Sequence, residues 1–182
     1  QPQLKLWASP WSPPSWMKTN GHYAAAQPRP DQVGVENGLN ADQVGHEGTD
    51  MIRLDDANLA AYAEYFGRFI DAYREQGIDI GMVMPQNEFN SAQVFPSCTW
   101  TPEGLVKFLG HLVPAMDARG VEVFLGTLER PDPGLAETVF AAETGVVGVG
   151  VQWHGSGAVP FLHHEHPGLR IYQTEQECGD GR

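Results

Sequence analysis

The sequence predicts an α/β fold in which parallel strands alternate with helices, and three observations carry that expectation. Apolar runs at residues 78–84, 121–128 and 146–153 lack regular polar alternation, as strands covered on both faces do. Stretches between them repeat apolar residues at three- and four-residue spacing, which gathers those residues on one helical face. Two glutamates, Glu88 and Glu175, stand where such apolar runs give way to loops.

Taken in order, residues 4–8 read as a short first strand. It ends at Ser9-Pro10-Trp11-Ser12-Pro13-Pro14, whose prolines forbid further ladder pairing and stiffen the loop. From Lys18 to about Asp56 the chain is rich in Gly, Asn, Asp, Gln and Pro without a steady period. A loop of that length usually carries function or is poorly ordered. Leu59, Tyr62, Ala63, Phe66, Phe69, Ile70 and Tyr73 then form the stripe of a helix, capped by Asp56 or Asn58 and stopped by Gly77. After the strand at 78–84, Thr101-Pro102-Glu103 opens a second helix with a capping residue and a proline in its first turn. Its buried stripe is Leu105, Phe108, Leu109, Leu112 and Met116, and Gly120 ends it. A strand at 121–128, a helix at 135–143, a strand at 146–153, a weak helical turn at 161–166 and a strand at 169–174 complete the order.

Such alternation argues for parallel strands with helices outside, which both an open doubly wound sheet and a closed barrel satisfy. No glycine-rich phosphate loop follows the first strand, which weakens the nucleotide-binding open sheet. Glu88 and Glu175 lie three strands apart in chain order. In an eight-stranded barrel, strands with that separation face one another across the C-terminal mouth. If the two glutamates act as a pair, the barrel is selected.

The bulk properties exclude several classes. With 182 residues, 41% hydrophobic and 19% charged, the chain can bury a core and is not a disordered polymer. Eleven basic against 23 acidic residues give a net charge of −12, which argues against nucleic acid and anionic membrane surfaces as partners. No apolar run approaches the ~20 residues needed to span a bilayer. Cys98 and Cys178 are too few for a disulfide framework.

A carboxylate at a buried strand end is costly unless its charge is used or paired. A single loop glutamate is usually just solvated, but two at strand ends with a compatible strand count suit one chemistry. Hydrolysis of a glycosidic bond takes one carboxyl as proton donor to the leaving oxygen and another as nucleophile or base. Asn87, beside Glu88, supplies an amide suited to a sugar 2-hydroxyl, although it also serves as an ordinary turn residue. Glu175 and Glu177 share one side of an extended segment, so direction alone does not separate them. Glu175 lies nearer the strand, where the backbone is more rigid, and is favoured.

Five tryptophans offer flat faces for sugar rings. Trp7 and Trp100 are expected to pack in the core, whereas Trp11, in a stiff loop at a strand end, suits a platform. His163, His164 and His166 lack metal-binding spacing and read as a solvated turn. Cys178 reads as a small buried thiol rather than a nucleophile.

The stretch Ala8-Ser9-Pro10-Trp11-Ser12-Pro13-Pro14-Ser15-Trp16-Met17-Lys18-Thr19-Asn20-Gly21 resembles the third-strand signature of glycoside hydrolase family 30. Gln86-Asn87-Glu88 is similar to that family's acid/base strand, and residues 95–103 to the loop and helix that follow it. Thr174-Glu175-Gln176-Glu177-Cys178-Gly179 is similar to its nucleophile strand. The resemblance implies a partial (β/α)8 TIM barrel, strands three to seven, filling residues 1–182 as one incomplete catalytic domain. Strands one, two and eight and a small β-domain would lie outside this chain.

It further implies a retaining β-glycosidase with Glu88 as acid/base and Glu175 as nucleophile, needing no metal or organic cofactor. Trp11 and Trp153 would line the sugar subsite, with Asn87, Gln152 and His154 as further substrate contacts. Phe89 stands where glucosylceramidases carry proline, and Gln152-Trp153-His154 where they read His-Trp-Tyr. These departures favour a β-glucan substrate and endo-β-1,6-glucanase activity over glucosylceramidase activity. Secretion is the family's usual habit. A barrel interrupted in this way also allows carbohydrate binding without turnover.

Overall fold

The computed structural model describes residues 4–176. Its strands are β1 (Leu6–Ala8), β2 (Ile80–Val83), β3 (Glu122–Val123), β4 (Leu125–Leu128), β5 (Gly148–Gln152) and β6 (Arg170–Glu175). Every pairing is parallel, in the orders β1-β2-β3 and β4-β5-β6. The predicted strand over 121–128 is thus two strands, interrupted at Phe124, whose N–H donates to the Val83 carbonyl (3.0 Å). Five strand positions follow one another in chain order, as in an arc of a barrel wall.

Four helices join them: α1 (Asp56–Glu75), α2 (Pro102–Asp117), α3 (Pro133–Ala141) and α4 (Val159–Glu165). Outward residues Val83, Val123, Leu125, Val149 and Val151 share one core cluster with Leu59, Leu109, Ala136 and Leu162 from the helices. Met84 and Phe124 are buried but stand outside that cluster, on the opposite, concave face. Helices on one face only is the arrangement of a barrel wall, whereas a doubly wound sheet carries them on both.

The helix signals are local and mostly hold. Thr101 caps α2 by accepting from Gly104 N–H (2.9 Å), and Asp50 holds the Thr101 hydroxyl (2.7 Å). Helix α1 is capped by Asp55 rather than by Asp56 or Asn58, since the Asp55 carboxylate accepts from Asn58 N–H (2.9 Å). Gly77, with φ of +76°, turns the chain out of α1. Trp100 is buried as expected, at 1% exposure.

Trp7 corrects its expectation, being 38% exposed. A register shift in the β1–β2 pairing sets Trp7 opposite Met82 and Ala8 opposite Val83. Val83 faces the helices, so Trp7 lies on the concave face, beside an open cavity of about 460 Å³ that Met82, Glu122 and Tyr172 also line.

The long segment between β1 and α1 is laced in place rather than loose. Lys18, fully buried, donates from Nζ to the carbonyls of Tyr23 (3.0 Å), Ala24 (3.3 Å) and Ser97 (2.6 Å). Asn37 Nδ2 bridges the carbonyls of Ala26 and Val94, both at 2.8 Å. The segment is thereby fastened to the loop that follows Glu88.

Gly155, just after β5, packs against the end of β4. A Cβ there would fall on the Leu128 carbonyl oxygen and within 2.7 Å of its carbon. Backbone cannot yield as a side-chain tip can, so Gly155→Ala is expected to destabilise the fold by about 1–3 kcal/mol. Chemical denaturation of the complete protein checks this; an unchanged midpoint would show that the contact relaxes freely.

Candidate active site

Glu88 leaves β2 through Met84-Pro85-Gln86-Asn87 at the C-terminal ends of the strands. Its backbone is left-handed (φ +50°), which a non-glycine residue adopts only when its surroundings hold it there. The holding contacts are visible. Glu88 N–H donates to Thr127 Oγ1 (2.7 Å), and that hydroxyl donates to Asn87 Oδ1 (3.3 Å). Gln86 bonds both sides of the Gly126–Thr127 peptide across the gap, accepting at O from Thr127 N–H (2.6 Å) and donating from N–H to Gly126 O (3.2 Å).

The Glu88 side chain is nearly enclosed, at 6% exposure. Gln152 Nε2, at the end of β5, donates to Glu88 Oε1 (2.9 Å). Glu88 Oε2 is buried and has no hydrogen-bond partner among the described residues. Burial, first of all, raises the Glu88 carboxyl above the usual carboxylate range; the Glu129 carboxylate adds to this, and Glu175 adds less. Gln93 and Gln152 pull the other way, although the Gln93 amide is itself bonded to Ser91 Oγ (2.6 Å). A carboxyl whose protonated form is favoured in this way is suited to give a proton to a departing oxygen.

Glu175 closes β6. A register shift near the end of β5 sets Gln152 opposite Glu175. The Trp153 indole N–H donates to Glu175 Oε1 (3.2 Å), from a residue that is also left-handed (φ +47°). Thr174 Oγ1 donates to the Val151 carbonyl (3.1 Å) and, more weakly, to Gln152 Oε1 (3.4 Å). Gln152 therefore bonds Glu88 on one side and pairs with the Glu175 strand on the other.

The remaining expected residues gather at the same rim. Trp11 is 43% exposed and its ring leans on Phe95, with centroids 5.1 Å apart. Its carbonyl accepts from Gln86 Nε2 (2.8 Å), and Asn87 N–H donates to Pro10 O (2.8 Å), so the proline loop is tied to the Glu88 loop. His154 is exposed, with Nδ1 3.7 Å from Glu129 Oε1. Glu177 and Cys178 lie outside the described residues, and Cys98 is a free buried thiol. His166 sits 2.7 Å from Glu137 Oε1, away from this rim.

Sequence reading missed Thr127, Asn90, Glu129 and Arg130. Glu129 stands directly after β4 and two residues before Pro131, an acid where an apolar run gives way to a loop, as Glu88 does after β2. The rule that marked Glu88 marks it equally. Thr127 and Asn90 carry no such signal, because their role lies in contacts with residues about 40 positions away.

The family model for the glycosyl hydrolase family 30 TIM-barrel domain matches residues 1–181. An endo-1,6-β-D-glucanase of Aspergillus fumigatus is 27% identical over 185 residues, covering 96% of this chain and 36% of that protein. The lysosomal acid glucosylceramidase of Mus musculus is 29% identical over 193 residues, covering 97% of this chain and 33% of that protein. The chain thus spans about a third of the length of these curated relatives. Among solved structures, SrfJ from Salmonella typhimurium superposes with a TM-score of 0.74 at 24% identity, over 100% of this chain and 38% of that one. Strand order, one-sided helices and the family match agree: this chain belongs to glycosyl hydrolase family 30 and forms part of its TIM-barrel domain.

Proposed function

We propose that the protein carrying this chain is a retaining β-glycosidase acting on β-linked glucose polymers, with endo-β-1,6-glucanase activity as the leading assignment. Glu88 protonates the departing oxygen and later takes a proton from water, and Glu175 attacks the anomeric carbon. Trp11 and Trp153 line the sugar subsite, and Asn87, Gln152 and His154 contact substrate hydroxyls. The observation that carries this reading is Gln152, bonded to Glu88 and paired in register with Glu175, which brings two strand-end carboxyls to one rim. A separation of ~5–5.5 Å between them is expected for double displacement.

The substrate assignment is supported by the fungal relative's name and by Gln152-Trp153-His154 at the rim. Secretion accords with a polymeric substrate. No helix among the described residues is long and apolar enough to cross a membrane.

The test is the first-formed product of a β-1,6-glucan of the pustulan type, followed by NMR. Retention predicts the β-anomer first; initial α-anomer would overturn double displacement. Hydrolysis of a glucosylceramide in place of the glucan would move the substrate assignment. Calorimetric binding without any product would reduce the protein to a carbohydrate-binding barrel.

A further inference from the structure

Glu129 has no role in the chemistry above, yet it is as buried as Glu88, at 6% exposure. We propose that Glu129, buried beside the Glu88 loop, is a positioning residue that tunes Glu88 as proton donor, with Arg130, shared between Glu129 and Glu47, as its counter-charge. The inference rests on the reading of Glu88 as proton donor.

The backbones that carry the two acids are fastened together. Asn90, two residues beyond Glu88, accepts at Oδ1 from the N–H of Glu129 (3.0 Å) and of Arg130 (3.2 Å). Its Nδ2 donates to the Arg130 carbonyl (3.2 Å). Together with the Thr127–Glu88 bond, this side-chain clip fixes the end of β4 against the Glu88 loop.

Arg130 is divided between two acids. Its Nη2 donates to Glu47 Oε1 (2.7 Å), and Nε lies 3.3 Å from both Glu47 oxygens. Nη1 lies 2.6 Å from Glu129 Oε2 but is not aligned as a hydrogen bond, since that oxygen has no hydrogen-bond partner among the described residues. Arg130 thus pairs by charge with both Glu47 and Glu129, but is hydrogen-bonded to Glu47 alone of the two. Glu47 belongs to the long segment after β1, and its Oε1 also accepts from Ala92 N–H (3.3 Å).

The charged groups acting on Glu88 are Glu129, Glu175 and Arg130, with His154 beyond Glu129; Gln93 and Gln152 face it as neutral amides. Of the two neighbouring carboxylates, Glu129 raises Glu88 more than Glu175 does. A like charge on a fixed neighbour favours the protonated form.

The experiment is the pH dependence of kcat/KM for the complete protein on an aryl β-glucoside, where the alkaline limb reports the free enzyme's essential acid. Glu129→Gln is expected to move that limb to lower pH by about half a unit or more, and Arg130→Gln to move it to higher pH. Glu47→Gln frees Arg130 for Glu129 and should move it down, which provides a test should Glu129→Gln not fold. Opposite displacements support the proposal, because structural damage lowers rates without a sign. Limbs that stay in place, whatever the rates, overturn it. On an activated aryl glucoside Glu88→Gln must lose the alkaline limb; its persistence would sink the acid/base reading itself, a separate failure.

Discussion

Glu175→Gln in the complete protein is expected to lower kcat on an aryl β-glucoside by roughly three orders of magnitude or more, about 4 kcal/mol of transition-state stabilisation. The amide keeps the shape of the carboxylate and can still accept the Trp153 indole N–H seen at 3.2 Å. What it loses is the ability to bond the anomeric carbon, so folding should be unchanged while turnover disappears. Glu88→Gln should behave differently. A general acid contributes roughly 10²–10⁴-fold, and only where the leaving oxygen needs a proton. Its deficit in kcat/KM should therefore be large on a poor leaving group and small on a nitrophenyl glucoside, while kcat falls on both because Glu88 also takes the proton from water in the second step. Near-normal hydrolysis by Glu175→Gln would remove its role and shift attention to Glu177.

The second large effect concerns stability. Lys18→Met is expected to destabilise the complete protein by about 3 kcal/mol or more, read from denaturant unfolding near neutral pH. The substitution leaves the carbonyls of Tyr23, Ala24 and Ser97 without their shared donor, and each buried unpaired polar group costs about 1–3 kcal/mol.

Burial lowers the Lys18 amine from the usual 10.5 to about 8, opposed by a smaller upward effect from Cys98. Burial also pushes the Cys98 thiol up to about 12. Between pH 8 and 10.5 the unfolded lysine therefore holds a proton that the folded one has released. The linkage sign makes the Lys18 contribution rise with pH across that window. Below pH 8 both states are protonated and the burial penalty is present in full. Subtracting the Lys18→Met profile from the wild-type profile isolates this slope. A flat difference would mean that the three carbonyls hold the ammonium charged.

Much of the architecture was legible because its causes are local. The cap at Thr101, the stop at Gly77 and the Leu105–Phe108–Leu109–Leu112 stripe each depend on residues within a turn or two. Other details failed for equally physical reasons. The cap of α1 moved to Asp55, since neighbouring acids compete for one cap and the winner depends on the entering backbone. Trp7 turned to the concave face, because a strand's apolar run does not say which face meets the helices. Composition left the segment after Lys18 as either functional or poorly ordered, and the order came from Lys18 itself, which anchors it through carbonyls as distant as Ser97.

The order of strands and helices, the family resemblance and the two strand-end acids were written in the sequence, since periodicity, capping and motif are properties of neighbouring residues. The tertiary structure alone decided that Gln152 reaches Glu88 across 64 positions, that Trp153 holds Glu175, and that Glu129 becomes a second buried acid at the same rim as Glu88. Register shifts at strand ends and the left-handed backbone at Glu88 and Trp153 aim those side chains. Such features arise only when separate strands pack side by side, because the contacts that hold them come from distant parts of the chain.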